Sequence, residues 1–183
     1  PMEIPGYYYI VVYKDRNFGR PIIASTLIRP ENVIYELAKG KTFEEVSKKF
    51  YSQVGFKQIQ ECIKYAMDIL RILKFKKAKL KISRKLKKQI EYKEYKYLDQ
   101  IKTYDPIIKG TNIKAIEILK KIYEGKEIHQ IALEFGLPEE AITEVLFYAA
   151  VIVDEFHLSL SAFEDPASAL VQYFNYVSKV TKG

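Results

Sequence analysis

The sequence predicts a mainly α protein with short β-strands, built from two tandem helix-turn-helix modules of the winged or homeodomain-like kind and a C-terminal helix. Three observations lead to this class: an internal repeat, helical spacing of apolar residues in each copy, and a tyrosine-rich stretch ahead of each copy. The 183 residues are 48% hydrophobic and 29% charged, which excludes collagen-like and wholly disordered chains. We therefore expect a globular protein.

The repeat divides the chain into two related parts. Residues 21–50 align with residues 106–135 without a gap and share eight identities in thirty positions. After a turn that is two residues longer in the first copy, residues 59–70 align with residues 142–153 and share five identities in twelve. Such a repeat indicates a duplicated supersecondary unit. The predicted segments are module A at 1–75, a basic connector at 76–89, module B at 90–155 and a C-terminal amphipathic arm at 156–183.

Module B shows the helical pattern clearly. Apolar residues recur at helical spacing from Ile116 to Tyr123, and Gly125 is placed to end that helix in a left-handed conformation. A second short helix is predicted at 128–135, and Pro138 opens a third helix because its missing N–H costs nothing there. A helix-turn-helix needs a small residue at the helix crossing, a turn glycine and an aliphatic residue on the second helix of the pair. These three are Ala132, Gly136 and Ile142.

Module A repeats these helices with a less regular turn. The turn at 51–56 is longer and lacks the well-placed glycine. The stretches Tyr7–Tyr13 and Ile90–Leu98 have the aromatic and β-branched content of short strands, one ahead of each module. Each module is therefore predicted to contain a strand followed by three helices.

Charge is distributed very unevenly along the chain, whose net charge is +7. Residues 71–102 contain thirteen Lys and Arg against three Asp and Glu, whereas residues 127–178 contain nine Asp and Glu and no Lys or Arg. This polarity suits two unlike partners, one of them an anion such as nucleic acid. Alternatively, the two regions neutralise one another within the fold or between subunits, or the lysines only solvate a protein of heat-adapted composition. Alternation with lysines at 78–82 predicts a further strand in the connector.

The pattern resembles a known family. The turn Pro106–Ile113, the residues around Gly125 and the apolar positions up to Ala149 look like the family called domain of unknown function 433. The resemblance covers residues 19–70 and 104–153. It implies a helix-turn-helix fold similar to Vap-type antitoxins, whose partners are PIN-like nuclease toxins, and a one-chain pair could act as a pseudo-dimer. The arginine of the family's glycine-threonine-arginine-isoleucine turn is replaced in both copies, by Leu27 and by Asn112.

The start of the third helix in module A carries amides suited to adenine and ammonium groups suited to phosphate. Module B has Glu139, Glu140 and Glu144 in this region, and a phosphate backbone would repel them. We therefore predict that module A and the connector bind double-stranded DNA. The alternative is that both modules are helical scaffolds of a protein-protein adaptor without DNA affinity. The candidate DNA-binding residues are Gln53, Lys57, Gln58, Gln60, Lys64, Lys74, Lys76, Lys77, Lys79, Lys81, Arg84, Lys85, Lys87 and Lys88.

The C-terminal arm contains a predicted amphipathic helix. Asp165 can cap it, with Pro166 at its first position. An apolar stripe on this helix must be buried, either against the chain's own core or as a homodimer seam or toxin-binding arm. The candidate partner-binding residues are Asp154, Glu155, Phe163, Leu170, Phe174 and Val177.

The sequence offers little for catalysis. No cysteine lies near His129 or His157, so a zinc site of standard spacing is absent, and Cys62 falls on the apolar face of a helix. No glycine-rich phosphate loop is present. We expect no enzyme activity, no metal and no cofactor, with scattered carboxylates of a metal nuclease as the open alternative.

Localisation is predicted from two features. The longest apolar run, Val145–Val153, is far below the roughly 18 residues that a membrane-spanning helix needs. A single cysteine excludes an internal disulfide framework and favours a reducing compartment. We therefore expect a cytoplasmic protein that does not bind membranes.

Overall fold

The computed structural model describes residues 1–75, 90–97 and 101–181, and these residues confirm the predicted mainly α class with short strands. The helices are α1 (Pro30–Ala38), α2 (Phe43–Lys49), α3 (Phe56–Phe75), α4 (Ala115–Tyr123), α5 (Ile128–Phe135), α6 (Glu139–Leu160) and α7 (Pro166–Thr181). The strands are β1 (Met2–Glu3), β2 (Ile10–Val12), β3 (Ile22–Ile23), β4 (Ile90–Tyr97) and β5 (Ile101–Ile108). The sheets β1-β2-β3 and β4-β5 are antiparallel. The strand predicted at 78–82 lies outside the described residues.

The predicted repeat appears as the same turn at the start of both copies. In module A, the Thr26 hydroxyl donates to the carbonyl of Ile23 at 2.8 Å and accepts the N–H of Ile28 at 3.0 Å. In module B, the Thr111 hydroxyl makes the two equivalent bonds at the same two distances. The carbonyls of Ile23 and Ile108 each accept the backbone N–H of the threonine as well, so the hydroxyl adds a second bond to the carbonyl and pairs the N–H of Ile28 or Ile113. The turn therefore fixes how the first helix of each copy leaves its strand.

The helix pairs α2–α3 and α5–α6 meet at turns that differ between the copies. Gly136 ends α5 with a φ of 64°, in the left-handed region that glycine adopts without steric cost. Tyr51 follows α2 at the equivalent place and has a φ of 54°, and Ser52 has a φ of 60°. A residue with a side chain is disfavoured in this conformation by about 1–2 kcal/mol. The turn of module A is therefore strained where the turn of module B is not.

The two modules share one hydrophobic core. Helix α1 of module A packs against α6 of module B, and α4 of module B packs against α3 of module A. Buried apolar residues of both copies form a single cluster. The predicted module boundaries therefore mark the limits of the repeated units, but the hydrophobic core is formed by both modules together.

Helix α7 begins as predicted and covers this core. Asp165 accepts the N–H of Ser168 at 3.1 Å, which satisfies a free donor in the first turn of the helix. The stripe of Leu170, Phe174 and Val177 is buried, and the ring of Phe174 stacks on Tyr65 with centroids 4.9 Å apart. The prediction that these three residues bind a partner is therefore corrected: they pack on the chain's own core, which was the stated alternative.

A buried polar cluster ties α1, α3 and α6 together. Glu31 and His157 are 2% and 3% exposed, and a Glu31 carboxylate oxygen lies 3.6 Å from the Nδ1 atom of His157. The other ring nitrogen of His157 is hydrogen-bonded to the Tyr65 hydroxyl at 2.6 Å. Burial alone would raise the pKa of Glu31, but His157, the backbone N–H of Glu31 and, least, Arg29 together outweigh it, and the pKa of this carboxyl is lowered.

The strain in the turn of module A predicts that substitutions at the equivalent turn positions of the two modules change stability in opposite directions. Tyr51→Gly should raise the free energy of unfolding by about 0.5–1 kcal/mol, because glycine relieves the left-handed strain and the tyrosine ring is 88% exposed. Gly136→Ala, the matched change in module B, should lower it by about 1 kcal/mol. Both values can be measured by urea denaturation. A Tyr51→Gly variant that is clearly less stable than the parent would contradict this account of the turn.

The Glu31 cluster predicts how stability depends on pH. Because the folded pKa of Glu31 lies below its unfolded value, the ionised carboxyl stabilises the fold above about pH 4.5, and this contribution is lost as the pH falls through the folded pKa. Glu31→Gln should lower the free energy of unfolding by about 1–3 kcal/mol at pH 7, since it removes the carboxylate that faces the buried Nδ1 atom of His157. The difference in the free energy of unfolding between the parent and the variant should become smaller as the pH falls from 5 to 3. Urea denaturation at several pH values in that range measures this difference. A difference that stays constant with pH would exclude this role for Glu31.

Candidate nucleic-acid interface

The candidate interface is the exposed end of the first helix pair, where α2 ends and α3 begins. Thr42 caps α2: its hydroxyl accepts the N–H of Glu45, and the Glu45 carboxylate accepts the N–H of Thr42, both at 3.2 Å. This capping box fixes the start of the helix, and its last turn presents Lys48 and Lys49 to solvent. Val46 is fully buried and anchors the short helix to the core.

Five exposed side chains between residues 48 and 57 lie at this end, and we call them the turn face. They are Lys48, Lys49, Tyr51, Gln53 and Lys57. Lys48 lies 3.4 Å from Glu44, an exposed ion pair of little strength. Within the described part of the chain, Lys49 and Lys57 have no ion-pair partner. The turn face is therefore cationic and offers an aromatic ring and an amide beside its charges.

Gln53 and Lys57 thus lie at the surface as the DNA prediction requires, but three other candidates on α3 bind within the chain. The Gln58 side-chain oxygen accepts the N–H of Gly55 at 3.1 Å. The Gln60 amide donates to the carbonyl of Tyr123 at 2.9 Å, which links α3 to the end of α4. The Lys64 ammonium group donates to the carbonyl of Gly6 at 2.5 Å. In the described structure these three polar groups form hydrogen bonds within the chain and stabilise the fold.

The N-terminal segment covers the outer face of α3 beyond its first turn. The Glu61 carboxylate accepts three consecutive backbone N–H groups, from Tyr8, Tyr9 and Ile10, at 2.5, 2.7 and 3.2 Å. The Lys64 ammonium group also lies 4.4 Å from the ring centroid of Tyr7. A duplex could therefore reach α3 only near its start.

The candidates in and beside the connector divide into two groups. The Lys74 ammonium group lies 3.2 Å from the Asp105 carboxylate, and Lys114 lies 3.4 Å from the same oxygen. Lys74 is therefore part of a pairing between α3 and β5. The remaining candidates lie outside the described residues: Lys76, Lys77, Lys79, Lys81, Arg84, Lys85, Lys87 and Lys88.

Module B presents the opposite charge at the equivalent place. Leu133 and Glu134 stand where module A has Lys48 and Lys49, and Glu140 stands where it has Lys57. Leu133 is 80% exposed, and Glu139 and Glu140 are exposed at the start of α6. Glu134 is ion-paired with Lys121 and Lys126, so the difference in surface charge rests on Lys48, Lys49 and Lys57 of module A against Glu139 and Glu140 of module B.

The other partner-binding candidates have mixed positions. Asp154 forms an ion pair with Arg20 at 3.2 Å, and Glu155 is half-buried. Phe163 is 48% exposed, just before α7. Of the predicted partner residues, Phe163 is thus the one with an apolar side chain at the surface.

In residues 1–75, 90–97 and 101–181, no three or more histidine, cysteine, aspartate or glutamate side chains are grouped so that they could hold a metal ion. None of the described helices combines the length and the apolar character needed to cross a membrane.

Sequence reasoning missed Lys48, Lys49 and Tyr51. Two lysines in the last turn of a short helix are also what a helix dipole favours, so their position alone did not mark them as functional. The difference between the copies at these positions was the available signal.

Comparison with curated proteins and comparison with solved structures gave no match. A family model described as "Protein of unknown function (DUF433)" matches residues 10–66 and residues 100–149. Each matched segment contains the strand, the turn and the first two helices of one copy and ends inside the third helix, and together the segments cover more than half of the chain. The chain therefore belongs to the DUF433 family and contains the family's domain twice.

Proposed function

We propose that this chain is a DNA-binding protein that contacts the backbone and groove of a duplex through the turn face of module A, together with the basic connector. The observation that carries the proposal is the difference in charge between equivalent turns. Lys49 and Lys57 are exposed and have no ion-pair partner among the described residues, whereas the other copy has the exposed Glu140 and has Glu134, which is paired with Lys121 and Lys126. A cationic surface attracts phosphate, and a carboxylate surface repels it.

The side chains of the turn face are suited to the two kinds of contact that a duplex offers. Lysine ammonium groups and a tyrosine hydroxyl bind phosphate oxygens, which sets the position of a protein on DNA. The Gln53 amide can pair with the edge of an adenine, which is a base-specific contact. Helix-turn-helix proteins contact bases mainly through the first residues of the recognition helix, and that is the part of α3 that the N-terminal segment leaves open.

The contact would be one-sided. Symmetric helix-turn-helix dimers use two equivalent helices on two half-sites. Here the start of α6 carries Glu139 and Glu140, so module B would not engage a second half-site. Such a protein would recognise a short, non-palindromic sequence or bind DNA mainly without sequence preference.

We also propose a biological role and a protein partner for this chain. The likeness to Vap-type antitoxins suggests a cytoplasmic antitoxin or small transcriptional regulator, with a PIN-like nuclease toxin as its protein partner. The surface left for such a partner is on module B, where Leu133 is 80% exposed among carboxylates.

That same surface favours a second candidate function, a protein-protein adaptor without DNA affinity. A protein partner that covered Leu133 would gain free energy from removing this apolar side chain from water. The two functions differ in one measurable property, which is salt-dependent affinity for a duplex.

The test compares two double variants that remove the same charge. Lys49→Gln with Lys57→Gln changes the turn face, and Lys109→Gln with Lys120→Gln changes two exposed lysines of module B. Affinity for a labelled duplex can be measured by fluorescence anisotropy at several salt concentrations. In the first variant, the plot of log affinity against log salt should become shallower by about 2 units, because each phosphate contact contributes nearly one unit to its slope. The second variant should leave the slope unchanged.

Residual binding in the turn-face variant is expected from the connector lysines. Circular dichroism should show equal folding of both variants, since the four side chains are at the surface. An equal slope in both variants would refute the turn face as the contact surface, and an absence of binding at low salt would favour the adaptor.

A further inference from the structure

A groove of about 630 Å³ lies between the two modules, on the side where their second and third helices begin. Equivalent residues of the two copies form its wall: residues 40–44 and 125–129, and the first turns of α3 and α6. The packing of the modules is reciprocal, since α1 packs on α6 and α4 packs on α3. Reciprocal contacts of this kind relate two units by a two-fold axis. The groove therefore lies on the approximate two-fold axis of the repeat.

The centre of the groove is apolar and open to solvent. Phe43 and Phe56 lie edge to face with ring centroids 5.8 Å apart, and Phe56 remains 55% exposed. A second apolar surface that covered these rings would remove them from water. The apolar residues of the wall are Leu37, Phe43, Phe56, Ile122, Ile128 and Leu146.

The lysines of the groove are already paired within the chain. Lys41 is bound to Glu36, and Lys126 lies 3.2 Å from Glu134. Two lining carboxylates also have neighbours in their own segments, and these pairs are Glu44 with Lys48 and Glu127 with His129. The groove therefore has no unpaired lysine that would select a small anion.

Unpaired charges lie at the rims of the groove, and they differ in sign between the modules. Lys57 follows Phe56 in the first turn of α3, and the equivalent residue in the first turn of α6 is Glu140, next to Glu139. All three side chains are exposed. In residues 1–75, 90–97 and 101–181, no ion pair engages any of them. The rim formed by module A is therefore basic, and the rim formed by module B is acidic.

This arrangement determines what kind of surface fits the groove. A complementary surface must be apolar at its centre, acidic where it meets module A and basic where it meets module B. The same surface has this arrangement when it is turned by 180°, because its two rims then exchange places. An apolar centre inside a charged rim is also typical of protein interfaces.

We propose that the groove and its two rims form the contact surface of a homodimer, in which a second copy of the chain lies on the groove after a rotation of 180°. The first turn of α3 in each chain then lies against the first turn of α6 in its partner. Lys57 of each copy meets Glu139 and Glu140 of the other, and the two Phe56 rings lie at the centre. A contact of this symmetric kind closes at two copies.

The dimer goes beyond the proposed DNA contact and shares Lys57 with it. A duplex and a second copy of the chain therefore exclude each other at this residue. The dimer itself needs no DNA, and the experiment below contains none. Its failure would leave the DNA proposal standing, and a failure of the DNA proposal would leave the dimer standing.

Charge exchange between the rims tests the dimer. Sedimentation velocity at low salt should show the parent moving from the mass of one chain towards that of two as its concentration rises. Lys57→Glu and Glu140→Lys should each weaken the association by about tenfold, because each replaces an attraction with a repulsion at both equivalent contacts. The double variant Lys57→Glu with Glu140→Lys should associate more tightly than either single variant, because opposite charges meet again.

Lys109→Glu is the matched control. Lys109 is exposed and precedes α4, whereas the groove is in contact with the other end of that helix at Ile122. This variant should associate like the parent. Phe56→Ser, which changes no charge, should weaken the dimer by removing its apolar centre, and circular dichroism verifies that each variant is folded.

Four results would each overturn the proposal. They are a parent that stays monomeric at low salt, a parent that grows beyond two chains, a double variant no tighter than the single variants, and a loss in Lys109→Glu as large as that in Lys57→Glu. The charge variants change exposed side chains, so they test the dimer even if Phe56→Ser does not fold.

Discussion

The fold depends on the packing of each module's first helix against the third helix of the other module. This arrangement buries apolar residues of both copies in one cluster, so the core requires both copies. The equivalent residues Tyr65 and Tyr148 show the constraint, since both rings are buried in this shared core. Many core positions are apolar in both copies, but the buried Glu31 and Asp68 of module A stand where module B has Ile116 and Val151.

Much of the fold could be predicted because its signals are local. The threonine turns, the left-handed Gly125 and the Asp165 cap each depend on residues within a few positions of one another. The candidate site was harder to predict because its contacts are distant in sequence. Gln60 bonds to Tyr123 and Lys64 to Gly6, and no periodicity within α3 indicates that these polar groups are occupied. Burial of the α7 stripe likewise depends on Tyr65, far away in sequence.

The two copies show how one backbone arrangement can carry different surfaces. Module B uses Gly136 at its turn and surrounds it with carboxylates, whereas module A accepts the strain of Tyr51 and presents lysines. Residues held in a sparsely populated backbone conformation are concentrated at functional sites. This contrast supports module A as the copy specialised for an anionic partner and module B as the copy suited to a protein surface.

The shared core also determines what a break between the modules would do. In a protein with two independent domains, a proteolytic nick in the linker releases two folded pieces. Here each piece would lack the helices that cover its apolar face, so it would remain bound to its counterpart or collapse alone. The boundary between the two copies is therefore a suitable position at which to cut the chain for fragment complementation. The two halves, expressed separately, would restore one folded particle by packing their helices across the cut.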